Sequence, residues 1–167
     1  MSETRILTFT DKKKLEEQLA ELNIEKKKVA EEIQVARGFG DLSENAEYDA
    51  AKAKEAEVYG NIARIEAELR TATFVDDRVV STDTVALGTV VRVIEMYPGE
   101  PDEEAEYTLV GFTEADPAKL FISNESPIGR ALCDTDGKGT GASVGDIVEA
   151  NTPGGVMKLK VLSIRKR

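Results

Sequence analysis

Asp41 and Glu44 stand three residues apart in the segment Gly40-Asp41-Leu42-Ser43-Glu44-Asn45-Ala46-Glu47-Tyr48. Carboxylate oxygens are hard ligands and suit a hard cation such as Mg²⁺, which keeps several waters and accepts one or two carboxylates. Two exposed carboxylates alone would hold it weakly. The segment therefore reads as half of a metal site, completed by a partner or a phosphate. The same residues have a plainer use. Acidic groups near a helix N-terminus meet the helix dipole favourably, by about 0.3–1 kcal/mol, and Ser43 is a candidate N-cap. Phe39 and Leu42 sit uneasily with that use, because capping needs no apolar residue at an exposed turn.

The rest of the composition narrows the chemistry. Among 167 residues there is no His, which removes His-based triads, His metal ligands and imidazole proton shuttles. The single Cys133 cannot form an internal disulfide, as expected of a protein from a reducing compartment. No basic residue adjoins it to stabilise a thiolate. Trp is absent and aromatics make up 5%, too few for a broad stacking platform. The formal net charge is -10, so bulk electrostatics would not hold this chain on a nucleic acid. Any such contact must be local, or must depend on a partner that already holds the polymer. No stretch approaches the roughly 20 apolar residues of a membrane helix, and the opening residues contain no apolar run of signal-peptide type. A soluble, cytoplasmic protein without membrane contact is expected.

Two kinds of element must position the acidic segment. Before residue 76 there is no Pro, and apolar residues recur at helical spacing. Leu15, Leu19, Leu22, Lys26, Val29, Ile33 and Ala36 form one heptad seam; Tyr48, Ala51, Glu55, Val58, Ile62, Ile65 and Leu69 form another. Thr10 or Asp11 is the predicted N-cap of the first helix. Folding the chain at Leu42 pairs seam residues whose numbers sum to 84. Every seam position then finds a partner, and the polar exceptions, Lys26 and Glu55, fall in adjacent layers. They either pair diagonally across the seam and set its register, or reach out to solvent. The prediction is an antiparallel coiled-coil hairpin, each helix about 27 residues and roughly 40 Å long, with the carboxylates at its turn. The runs Lys12–Lys14 and Lys26–Lys28 read as solvated faces that pair with nearby Glu.

After residue 76 come all five prolines and most of the Val-rich alternation. Strands are predicted at 85–94, 106–110, 119–123, 146–150 and 156–164, with a turn at Thr152-Pro153-Gly154-Gly155 and a short helix from Ser126 to Leu132. The fold class is α+β: a hairpin over 1–76, a linker over 77–84, and a small antiparallel β domain over 85–167. The Gly-rich stretch 134–145 is expected to be a flexible loop.

Gly40 to Lys52 closely resembles the tip signature of the bacterial transcript cleavage factors GreA and GreB. Ser126-Pro127-Ile128-Gly129-Arg130-Ala131-Leu132 and Thr152-Pro153-Gly154-Gly155 resemble later landmarks of that family, in the same order. The resemblance covers the chain from about residue 10 to its end, and the acidic balance is closer to GreA than to GreB. One departure is the 134–145 stretch, longer than the usual connection there.

The resemblance implies a C-terminal domain similar to the FK506-binding-protein fold, which docks on bacterial RNA polymerase at the rim of its secondary channel. It implies that the hairpin carries Asp41 and Glu44 to the polymerase active site. There they would help organise a Mg²⁺ shared with the polymerase and a water for cleavage of backtracked RNA, by two-metal chemistry. The chain would have no cofactor of its own and would not be an enzyme by itself. Arg37 and Lys52 match the family's basic patch for the nascent RNA 3′ end, although a lysine lacks the guanidinium fork. Ser126, Pro127 and Ile128 match the loop that faces the polymerase; on their own terms they are a turn opening a helix with Pro at N1. A monomer is expected. Two rival functions remain: a channel-binding paralogue that inhibits without inducing cleavage, and a peptidyl-prolyl isomerase or chaperone-like module. Intact Asp41 and Glu44 speak against the first. The scarcity of aromatics for a pocket speaks against the second.

Overall fold

The computed structural model describes residues 4–38, 42–134 and 140–167, without the side chains of residues 42–45. Two compact units emerge, one built on Lys12–Thr73, the other on Ile6–Asp11 together with Phe74–Arg167. A division at residue 76 follows the linear chain. The units do not, because Ile6–Asp11 packs with the sheet.

The first unit contains most of α1 (Phe9–Arg37) and all of α2 (Leu42–Thr71). The heptad seam is the buried stripe. Leu15, Val29, Ile33 and Ala36 are buried on α1, as are Val58, Ile62 and Ile65 on α2, and the other seam residues are half-buried. Cross-hairpin contacts join Lys26 to Tyr59 and Arg37 to Tyr48. Each pair of numbers sums to one more than the predicted fold point gives. The Lys12 and Lys13 ammonium groups lie 3.9 Å from Glu16 and Glu17, the helical pairing expected of a solvated face. Arg5 pairs with the largely buried Glu68 near the root of the hairpin, and Thr73 N donates to Arg5 O at 2.9 Å.

Three expectations for the helices change. Lys26 and Glu55 do not pair with each other: Lys26 lies over the Tyr59 ring, and Glu55 takes Lys52. Lys26 reaches across the hairpin to a ring on the flank of the seam, and Glu55 is taken by a neighbour on its own helix, so the diagonal pair does not form. α1 begins at Phe9, so Thr8 rather than Thr10 or Asp11 is its cap. Asp11 N donates to Thr8 Oγ1 and Thr8 N donates to Asp11 Oδ2, both at 3.0 Å. This is a reciprocal capping box with Asp at N3. α2 begins at Leu42, which places Ser43 inside the helix rather than at its cap.

The second unit is a five-stranded sheet in the order β5-β4-β3-β7-β6, where β3 is Thr89–Met96, β4 Glu103–Val110, β5 Phe121–Ser123, β6 Ile147–Thr152 and β7 Gly155–Lys166. The period of two is plain in β7, where Met157, Leu159 and Val161 are buried and Lys158 and Lys160 exposed. With Val91, Val93 and Leu109 they form the core, which α3 (Pro127–Cys133) covers through Leu132. The opposite face is a lattice of exposed ion pairs: Arg165–Glu106 at 2.8 Å, Arg92–Glu104 at 3.2 Å and Lys158–Glu149 at 3.7 Å. Such pairs contribute about 0–1 kcal/mol each.

The sheet is antiparallel except at one edge. β5 runs parallel to β4, because residues 111–120 cross over before the chain returns. Two short strands escape the sequence pattern altogether. β1 (Ile6–Thr8) and β2 (Thr73–Val75) form a separate two-stranded sheet. In the stretch 134–145, residues 135–139 lie outside the described residues, but the rest is not loose. Gly141 and Ala142 are buried, Val85 N donates to Ala142 O, and Ala142 N donates to Leu132 O, each at 2.8 Å. A Cβ on Gly141 would stand 1.9 Å from Val85 O, so the close approach needs glycine there.

Candidate functional site

Asp41 lies outside the described residues, and of Glu44 only the backbone, in the first turn of α2, is described. Next to them the hairpin presents two flanks of opposite character. On one flank α2 carries Tyr48, Lys52, Glu55 and Tyr59, at successive steps of four, three and four residues. That spacing keeps all four on one face of a helix. Facing them, α1 contributes Arg37 and Lys26. The Arg37 guanidinium lies 5.9 Å from the Tyr48 ring centre, and the Lys26 ammonium 4.5 Å from that of Tyr59. Both are within the range of a cation–π contact. Between them on α1 stand exposed Ala30 and Gln34, neither charged.

The other flank holds a shallow groove lined by Lys28, Glu31, Glu32, Glu47 and Lys54, with Val35 exposed beside it. Lys54 reaches Glu25 at 3.4 Å across the hairpin. This flank carries more carboxylates than cations; the first carries three cations against one.

Arg37 and Lys52, expected to meet RNA, thus share a flank. Lys52 hydrogen-bonds Glu55, and that bond, followed by the charge of Glu55, raises the ammonium pKa above its ordinary value, against a small opposing effect of Arg37. Lys52 therefore stays cationic at any working pH.

Ser126, Pro127 and Ile128 open α3. Ser126 Oγ accepts from Gly129 N at 3.0 Å and donates to Ser123 O at 2.7 Å, so it is fully used as an N-cap. Ile128 is half-buried against the sheet core. Pro127 alone of the three is exposed; it rims a shallow cleft with Glu125, Arg130, Asp134, Glu149 and Asn151. Sequence reasoning did not single out these neighbours, since they join only when α3 packs on β6.

Cys133 is half-buried, and burial, with a smaller effect of Asp134, pushes its thiol up to about 12. Burial also raises Tyr107, whose hydroxyl donates to Glu95. Both acids bind their proton more tightly folded than unfolded. Their contribution to stability is therefore complete below the unfolded pKa values, about 8.5 for Cys and 10 for Tyr, and is lost as pH rises through the folded ones. Denaturant midpoints should hold between pH 7 and 8 and fall steadily above pH 9. Iodoacetamide should label native Cys133 at pH 8 about a thousandfold more slowly than free cysteine, on thiolate fraction. Labelling at the free rate would place the thiol in solvent.

Comparison with known proteins agrees with the family resemblance over both parts of the chain. The family model described as "Transcription elongation factor, N-terminal" matches residues 5–73, and that described as "Transcription elongation factor, GreA/GreB, C-term" matches residues 80–166. The chain belongs to the GreA/GreB family of transcription elongation factors. Within the family it is similar to proteins named transcription elongation factor GreA. That of Acetivibrio thermocellus is 46% identical over 96% of each chain. That of Thermoanaerobacter pseudethanolicus is 47% identical over 99% of this chain and 100% of its own. Among solved structures, the GreA factor homolog 1 of Thermus thermophilus is 24% identical over 98% of this chain and 99% of its own, with a TM-score of 0.43. Among the described residues, no helix is long and apolar enough to cross a membrane.

Proposed function

We propose that this chain binds bacterial RNA polymerase, inserts the hairpin turn into the secondary channel and stimulates the polymerase to cleave its own backtracked transcript. The observation that carries this reading is the family match over both parts of the chain, joined to the sequence pair Asp41, between the end of α1 and the start of α2, and Glu44, in the first turn of α2. The chain acts as a monomer in the cytoplasm and brings no catalytic centre of its own.

Carboxylate oxygens are the donor type that Mg²⁺ prefers, and two of them leave most of its coordination sphere to other ligands. Asp41 and Glu44 would hold the shared ion together with polymerase and RNA oxygens; a bound Mg²⁺ supplies charge stabilisation for phosphodiester hydrolysis. Arg37 offers a guanidinium fork to a phosphate, and Lys52 a fixed positive charge. Lys52 must exchange Glu55 for the phosphate, so the flank is pre-charged and becomes available on contact. Pro127, at the rim of its cleft, is the exposed member of the docking loop.

The experiment is direct. The purified chain is added with Mg²⁺ to a halted, backtracked polymerase complex carrying 3′-labelled RNA. Release of short labelled fragments, followed by renewed elongation, is the expected result. Binding without fragment release would instead indicate an inhibitory channel-binding role. Absence of binding would overturn the reading.

A further inference from the structure

α1 carries a second stripe besides its seam. Ile24, Lys28, Glu31 and Val35 follow one another at steps of four, three and four residues, so they share one face of the helix. All four are exposed, while the seam residues Val29, Ile33 and Ala36 are buried. Ile24 is 70% exposed and Val35 61%, the most exposed large apolar side chains of either helix among the described residues. Apolar residues at this spacing are what a further helix covers. Among the described residues, neither Lys28 nor Glu31 takes an ion-pair partner.

The order apolar, cation, anion, apolar is its own complement when reversed. Laid antiparallel on a second copy, α1 meets residues whose numbers sum to 59. Ile24 then faces Val35 of the second copy, Lys28 faces its Glu31, and both contacts recur by two-fold symmetry. Along one side of the stripe Lys27 meets Gln34, with no like charges. Along the other Glu25 comes near Glu32, and Lys54, 3.4 Å from Glu25, offsets the repulsion. A partner of one charge sign would leave Lys28 or Glu31 unmatched, whereas a reversed copy matches both.

We infer that this outer face of α1 is a self-association surface whose occupant is a second copy of the chain in antiparallel register. Two apolar layers and two ion-pair layers make a narrow contact, smaller than the roughly 1,200 Å² of stable interfaces. The association is therefore weak and set by concentration. Arg37 comes level with Leu22 of the second copy, so the second hairpin overlaps the end of the first. On the proposed function, the monomer is then the form that enters the channel and the dimer a reserve; only this consequence rests on that reading.

The test is sedimentation equilibrium of the full chain at low salt, from about 10 to about 500 µM. Wild type should shift reversibly from monomer towards dimer. Lys28→Glu and Glu31→Lys each place two like-charge pairs in the contact, and each alone should weaken association by about tenfold or more. An equimolar mixture of the two variants should restore it, because every contact of the mixed dimer again joins a cation to an anion. A folding defect would be the same alone and mixed, so it cannot give that restoration. Ile24→Ser should weaken association by about tenfold and should not be restored by mixing with either variant. Wild type that stays monomeric throughout, charge variants that associate like wild type, or a mixture as weak as its components overturns the inference. Transcript cleavage is assayed separately at about 1 µM, where monomer prevails. Its absence there overturns the proposed function and leaves the self-association standing.

Discussion

Asp41→Asn and Glu44→Gln will each reduce stimulated transcript cleavage by on the order of 100-fold or more, with polymerase binding retained. Each change keeps side-chain volume and removes one anionic charge. Groups that stabilise charge developing at a reacting centre in a water-excluded site carry effects of about 100- to 1,000-fold. A carboxylate that merely met the helix dipole would give a different result: about 0.3–1 kcal/mol of stability lost and no specific loss of cleavage. The two readings of the tip therefore separate on one pair of variants. Competition with unmodified chain for the polymerase provides the binding readout, and the melting temperature of each variant controls for folding.

A second feature separates the readings further. If the carboxylates contribute to holding a shared Mg²⁺, raising its concentration should partly restore cleavage in Glu44→Gln. A capping role predicts no such rescue. Equal cleavage by wild type and both variants would remove Asp41 and Glu44 from the chemistry and leave Arg37 and Lys52 as the functional groups of the hairpin.

Elements specified by local repetition were legible from sequence. The seam from Leu15 to Ala36 and its counterpart from Tyr48 to Leu69 repeat often enough to define two helices, and place their register to within one in the pair sum. β7 alternates from Met157 to Val161. Features set by competition among nearby partners were not legible. Lys26 and Glu55 are complementary in type and adjacent in layer, yet Tyr59 and Lys52 lie closer to each and take them. β1 and β2 are three residues each, too short for any period to show. The parallel placement of β5 depends on how residues 111–120 cross, and no local pattern encodes that. Arg37 and Lys52 became candidates only through the family resemblance, Lys52 at the end of the tip signature and Arg37 three residues before it. Tyr48 and Tyr59 read there as a seam residue and an unremarked neighbour, because a ring's partner across a hairpin appears only once the flank is assembled.

Asp11→Ala will destabilise the chain by about 3–5 kcal/mol, the largest stability effect expected of any polar substitution here. Asp11 is fully buried and closes the capping box on Thr8 with one oxygen. Its other oxygen accepts from Thr113 N at 3.0 Å and from Thr113 Oγ1 at 2.6 Å, across more than a hundred residues of chain. Truncation removes the acceptor of three donors at once, the buried Thr8 N and the half-buried Thr113 N and Oγ1, and a donor that loses its acceptor carries a desolvation cost that grows with its burial. Thr8→Ala, which removes one cap and leaves the Thr113 contacts, should cost about 1 kcal/mol. The fit around the carboxylate is tight: a Cβ on Gly111 would stand 2.0 Å from Asp11 Oδ2. Gly111→Ala must therefore displace the carboxylate and should approach the cost of Asp11→Ala. Both act through the same contacts, so they should be strongly non-additive. Once Asp11 is Ala, adding Gly111→Ala should cost little. Urea denaturation followed by circular dichroism measures all four corners of this cycle. Additive losses, or a loss below about 1 kcal/mol for Asp11→Ala, would show that the capping box and Thr113 hold without the carboxylate.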